Sequence, residues 1–282
     1  MNSTFWTNTI WFIILFVTSI ITNVFILYRI SNKKFAIAFL FSIIGLSFIF
    51  EATLVLGLNA YSYYPKIFRD SYLDIIIGNY FSQISVSSTA LLLATYNLSY
   101  IWYCAFGLIY YLVEVLFVKL GIYEHFWYKS IYTFFGFILF SWLAKKWYKA
   151  AKSSTNRIIN YISLYFSVAS ISTFTIFLGQ RLLGIQLMRS NIFFADLENR
   201  NNTSSGFLYQ FIVLNYLIIL YKSKLNWIVK TMAFSCLFIA QYLAYSTGYI
   251  YIYKGLFFVV TSLDLIGCYC LIAVSDYLLF SK

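Results

Sequence analysis

The sequence predicts an all-α fold, a polytopic transmembrane helix bundle of about nine spans, and three observations carry that reading. Hydrophobic residues make up 62% of the 282 residues and charged residues only 10%, against roughly 25% charged in a soluble domain. The mean hydropathy is +0.79. Charges also gather in short runs between long apolar stretches instead of spreading over helix faces, which is the pattern of spans and their loops. One integral membrane domain is expected, because the longest polar interval, 181–205, is too short for a core of its own.

The first nine residues are uncharged, and span one, 10–28, runs into the basic loop RISNKK. The first positive charge, Arg29, follows that apolar run, the reverse of a signal peptide, so the span is expected to persist. Span two is 35–58. The next loop, NAYSYYPKIFRDS, holds Pro65, which disfavours helix at the residue before it and separates spans two and three. Span three is 72–96. The turn NLSY leads to span four, 101–118, and KLGIYEHFWYK follows with Gly121 as a helix stop. Span five is 130–144, ahead of the basic run KKWYKAAKSSTNR. Span six is 158–180, and the polar interval ending in LENRNNTSSG separates it from span seven, 207–221. Span eight, 231–253, ends in the aromatic belt YSTGYIYIYK, and span nine is 255–280. Spans five and seven fall short of the roughly 20 residues of a full crossing, which leaves their passage open.

The net charge of +11 does not indicate nucleic acid, because its Lys and Arg flank apolar segments instead of forming a contiguous basic face. The lipid bilayer is the partner it implies. Placing the 29–34 loop inside assigns twelve of the 20 Lys and Arg to inner loops and eight to outer ones, with the densest run, 145–157, cytoplasmic. The N-terminus is then expected outside and the C-terminus in the cytoplasm. Cys104, Cys236, Cys268 and Cys270 all lie in apolar segments without a CxxC pair, so neither a disulfide framework nor a metal site is indicated, and no cofactor is expected. No fixed-period or inverted repeat is visible.

Polar residues inside spans mark candidate sites, since a carboxylate in hydrocarbon is costly and normally faces protein or a watery cavity. On span three, Asp74, Gly78, Ser82, Ser85 and Thr89 recur at helical spacing and share one stripe. Two readings stand. The stripe packs helices, with Gly78 and Ser82 as a small-xxx-small contact, or it lines a hydrated pocket with Asn79 and Gln83 turned to another neighbour. On span four, Gly107, Tyr111 and Glu114 share a face, and Tyr110 sits one turn before Glu114 in reach of its carboxylate. Glu51 on span two and Asp264 on span nine complete the buried acids. They either pair with Arg69, Lys119 or Arg181, or exchange protons, with the lone histidine, His125, beside Glu124 as a relay to the surface.

Enzyme signatures such as HExxH, GxSxG and a P-loop are absent from the sequence. The leading expectation is a binding or transport protein. Its spans two to four and nine would enclose an outward-facing acidic pocket for a small solute, cation, proton or lipid head group. The alternatives are an intramembrane enzyme on a lipid or isoprenoid substrate, using Glu114 with Glu124 and His125 as acid and base, and a non-catalytic envelope scaffold or partner subunit.

Between 65 and 148 the chain carries YPKIFRDSYLD, GNYFSQ, YYLVEVLFVKLGIYEHFWYKSIYT and KKWY. In these segments, above all in Glu114 joined to the KLGIYEH loop and Trp127, it resembles a family of uncharacterised multi-pass membrane proteins of spore-forming Bacillota. The resemblance implies a bacterial plasma membrane and no particular activity.

Overall fold

A computed structural model describes residues 4–153, 155–176, 182–189, 198–253 and 255–281. Its helices fall into two compact units, Met1–Ser163 and Leu164–Lys282. Among the described residues eight helices are long and apolar enough to cross a membrane. The chain is therefore a multi-pass integral membrane protein, consistent with a plasma-membrane location.

The first unit starts with α1 (Ile10–Arg29), preceded by a π-helical turn, and α2 (Lys33–Glu51), which ends in a second π-helical turn, Ala52–Gly57. Strand β1 (Tyr61–Tyr63), α3 (Ser71–Thr95), α4 (Tyr100–Lys119), strand β2 (Tyr123–His125) and α5 (Ser130–Ser153) follow. Short polar side chains set the helix starts: Asn32 accepts from the Phe35 N–H and Asp70 from the Leu73 N–H, each satisfying an orphan donor of a first turn. Helix α4 stops at Gly121, whose φ of +69° suits glycine.

Apolar burial does not separate helix faces from lipid tails, so these helices pack through small and polar contacts. Ser42, Ser47, Ser87 and Ser88 are all buried. Asn23 of α1 donates to Ser88 of α3 at 2.8 Å. At one end of the unit, Asn8 and Thr9 donate to the Tyr64 and Pro65 carbonyls, fastening the start of α1 to the loop after β1. At the other end the Lys145 ammonium donates to the Leu98 carbonyl in the α3–α4 turn. Strands β1 and β2 pair antiparallel, Tyr61 opposite His125 and Tyr63 opposite Tyr123, and so tie the α2–α3 connection to the α4–α5 connection.

The second unit contains most of α6 (Arg157–Ile176), strand β3 (Gln186–Met188), α7 (Glu198–Lys222), α8 (Trp227–Ser246), strand β4 (Ile250–Ile252) and α9 (Phe257–Phe280). Gln210 of α7 donates to the Ala169 carbonyl and the Ser172 hydroxyl of α6, and accepts from Thr173. Asn202 accepts from the Met188 N–H and fixes β3 to α7. Strands β3 and β4 pair antiparallel, Gln186 opposite Ile252.

Four differences from the sequence reading have physical causes. Helix α5 continues beyond 144 to Ser153, because the good helix formers of KKWYKAAK extend it past its apolar part; it reaches about 36 Å. Helix α7 begins before 207, because buried Asn201 and Asn202 find partners, so this segment is long enough to cross. The loops hold four short strands that composition hid. The elements also repeat: α3, α4, β2 and α5 recur as α7, α8, β4 and α9, with end points from Thr95 and Lys222 through Ser153 and Phe280 displaced by a constant 127 residues. Gly121 and Gly248 mark the same stop in both, with φ of +69° and +81°. The end of expected span six at 180, together with Arg181, Lys254 and Lys282, lies outside the described residues.

Candidate functional site

Within the first unit a cavity of about 240 Å³ lies among α2, α3, α4, α5 and the two strands. Two carboxylates line it, Glu51 and Glu114, with Ser82, Gln83 and a set of aromatic rings. Glu51 closes α2 immediately before the π-helical turn, a distortion that often accompanies functional sites. The Tyr61 hydroxyl lies 2.7 Å from both of its carboxylate oxygens. Asn79 Nδ2 donates to Oε2 and Gln83 Nε2 to Oε1, each at 2.6 Å. All three donors are neutral. They satisfy both oxygens, and hydrogen bonds of this kind each contribute about 0.5–1.5 kcal/mol.

Glu114 is held differently. His125 Nε2 of β2 is 2.8 Å from its Oε1, and the Thr133 hydroxyl of α5 donates to Oε2. Thr133 in turn shares a hydrogen bond with the Tyr128 hydroxyl at 3.0 Å. The β pairing carries this geometry, since it sets His125 opposite Tyr61 and so brings one partner of each acid to the same rung.

The rings of Tyr61, Tyr63, Tyr123 and Tyr128 pack edge-on or tilted against one another with centroids 4.8–5.6 Å apart. Burial pushes the phenols of Tyr61, Tyr63 and Tyr123 well above the ordinary tyrosine range, so they stay neutral donors. Two carboxylates thus face aromatic surface, and His125 is the only basic side chain that contacts either of them among the described residues.

The structure sorts the sequence candidates. Glu51, Ser82, Gln83 and Glu114 line the cavity, and Asn79 and His125 bind its acids. Asn79 and Gln83 turn toward Glu51 of α2, whereas Ser85 and Thr89 of the stripe bond Tyr110 of α4. Asp74 lies elsewhere: 3% exposed, it accepts the backbone N–H groups of Lys66, Ile67 and Phe68 and holds the loop before α3. Gly78 packs, since a Cβ there would come within 2.8 Å of the Tyr63 Cβ. Glu124 accepts from Tyr64 on the exposed side of β2, which raises that phenol, and does not bond His125. Tyr110 bonds Ser85 and Thr89 instead of Glu114. Tyr111 is half-buried and outside the cavity lining. Asp264 belongs to the second unit, where Tyr209 donates to it at 3.0 Å. Neither Arg69 nor Lys119 pairs with any of these acids among the described residues.

Tyr61, Tyr63, Tyr123, Tyr128 and Thr133 are site residues that the sequence reading passed over. The signal available was alternation: YSY puts Tyr61 and Tyr63 on one face of a strand.

No protein family, curated protein or solved structure matches the chain. Fold and site together define its class, a multi-pass membrane protein of eight or nine helical spans.

Proposed function

We propose that the first unit binds a small organic cation, of the alkylammonium kind, in the Glu51–Glu114 pocket, as part of a binding or transport function. The observation that supports this reading is the pairing of two carboxylates with tyrosine faces around one small cavity, where His125 is the sole basic contact among the described residues. Aromatic faces attract ammonium groups, most strongly when water is excluded, and the carboxylates supply the countercharge. The size suits a ligand of few heavy atoms, at the low end for small-molecule sites.

The setting we propose is the plasma membrane of a bacterium, with the N-terminus outside and the C-terminus cytoplasmic. The basic loop between α1 and α2 and the basic end of α5 then face the cytoplasm. The β1–β2 pair lies at the opposite end, and the pocket opens outward.

The test is calorimetric titration of the purified protein with choline, tetramethylammonium and 3,3-dimethylbutanol, the uncharged isostere of choline. At least one of the two cations is expected to bind. The alcohol should bind about tenfold or more weakly, and Glu51→Gln or Glu114→Gln should weaken cation binding to a similar degree. Equal binding of alcohol and choline, or no binding of either cation, rejects the reading. A second reading, acid–base catalysis on a lipid or isoprenoid substrate, draws on the Glu114–His125 contact. His125→Ala separates the two: it would abolish turnover by an enzyme while leaving a cation pocket that still binds.

A further inference from the structure

The repeat maps polar residues of the second unit onto the positions that line the first unit's cavity. At the constant displacement of 127 residues, Tyr209 corresponds to Ser82, Gln210 to Gln83, Gln241 to Glu114 and Asp264 to Phe137. All four first-unit positions line the cavity. The chemistry differs, because one acid is present instead of two and it stands on the α9 helix. Gln210 is committed to α6 through its bonds to Ala169 and Ser172.

The remaining residues are incompletely satisfied. The Asp264 carboxylate accepts from the Tyr209 hydroxyl at 3.0 Å and has the Cys268 thiol 3.8 Å away, with no cationic partner among the described residues. Gln241 adjoins the same Tyr209 hydroxyl. The residue is 6% exposed, and its amide nitrogen makes no hydrogen bond of good geometry beyond that contact. Thr261 lies one helical turn before Asp264, 1% exposed, and its hydroxyl has no partner. A buried polar group without a partner costs about 1–3 kcal/mol. The Thr261 hydroxyl and the weakly engaged Gln241 amide, with a carboxylate that has no cationic partner among the described residues, mark a place where a ligand completes the set.

We propose that Asp264, Tyr209, Gln241 and Thr261 form a second site, which takes a dehydrated monovalent metal cation. A carboxylate, a phenol, an amide and a threonine hydroxyl offer five oxygens, since a glutamine amide turns to present oxygen or nitrogen according to its partner. Hard alkali cations prefer all-oxygen surroundings. The charge decides against a divalent ion: one carboxylate balances one positive charge, and a second would remain uncompensated inside a membrane span. The proposal is independent of the ligand assigned to the first unit.

The test follows thermal unfolding of the purified full chain in detergent at constant ionic strength, with lithium, sodium or potassium replacing N-methylglucamine. One of these ions should raise the midpoint with the logarithm of its concentration, by about 5 °C at roughly a hundred times its Kd. Asp264→Asn and Thr261→Val should each abolish or strongly weaken the shift, while Glu51→Gln and Glu114→Gln retain it. Thr261→Val keeps side-chain volume, so it decides the matter if Asp264→Asn fails to fold. Absence of an ion-specific shift overturns the proposal, as does a shift that survives Thr261→Val or disappears with Glu114→Gln. A midpoint that responds to pH but to none of the three ions makes Asp264 a proton site and likewise overturns it.

Discussion

The two units share an order of elements and use their polar side chains differently. In the first, Glu51 receives three neutral donors and Glu114 is held by a histidine and a threonine. In the second, Asp264 has one phenol and one weakly donating thiol, and the Thr261 hydroxyl a turn away has no partner. Helix ends and glycine stops coincide between the units while the acids do not. The backbone frame is thus set by turns, caps and strand pairing, and each unit's polar chemistry can vary within it.

Removing the acids tests that contrast most strongly. Glu51→Leu strands the buried Tyr61 and Gln83 donors and the part-buried Asn79 amide, each costing about 1–3 kcal/mol, so a loss of about 3 kcal/mol or more is expected. Asp264→Leu strands the Tyr209 hydroxyl and the weakly donating Cys268 thiol and should cost less, about 1–2 kcal/mol. Reversible unfolding in mixed micelles measures both, and equal losses would break the comparison.

A smaller effect separates tight from open helix packing. Gly78→Val drives its Cβ into Tyr63 and should cost about 1–3 kcal/mol, loosening β1 from α3. Gly267→Ala on α9 meets nothing within 4 Å and should be neutral or slightly stabilising. The same unfolding measurement reads both. The smallest effect sharpens the equivalence of the units: Gly121→Ala and Gly248→Ala each place a Cβ at positive φ and should each cost about 1 kcal/mol. Clearly unequal costs would mean that the two helix stops are not equivalent.

Most of the membrane fold was legible in the sequence, because long apolar runs between basic loops leave few alternatives. Span lengths were less so where polar residues found partners, as Asn201 and Asn202 did at the start of α7. The three-residue strands were hidden, since such short segments carry too little periodicity to stand out among aromatic loop residues. The repeat escaped notice because few identities mark it, Gln83 with Gln210 and Gly121 with Gly248 among them. Glu51, Glu114 and Gln83 could be named as candidates from their cost in a span, but their grouping depends on contacts such as Gln83 to Glu51, 32 positions apart. Asp74 was visible as a buried acid. Its structural task was not, because its partners are backbone N–H groups that no residue pattern displays.

The π-helical turn after Glu51 makes chain length, as well as side-chain identity, a determinant of the pocket. There the Leu58 N–H reaches back five residues to the Thr53 carbonyl, and the turn accommodates one residue more than α winding would use. Inserting one further residue between 52 and 57 would exceed what the turn absorbs and turn the chain that leads to β1 by about 100° relative to Glu51. Tyr61 would then leave the carboxylate although every lining side chain was still present. Substitutions adjust the pocket by degrees, whereas this segment sets its indexing, and a one-residue change in length would reassign which side chains meet.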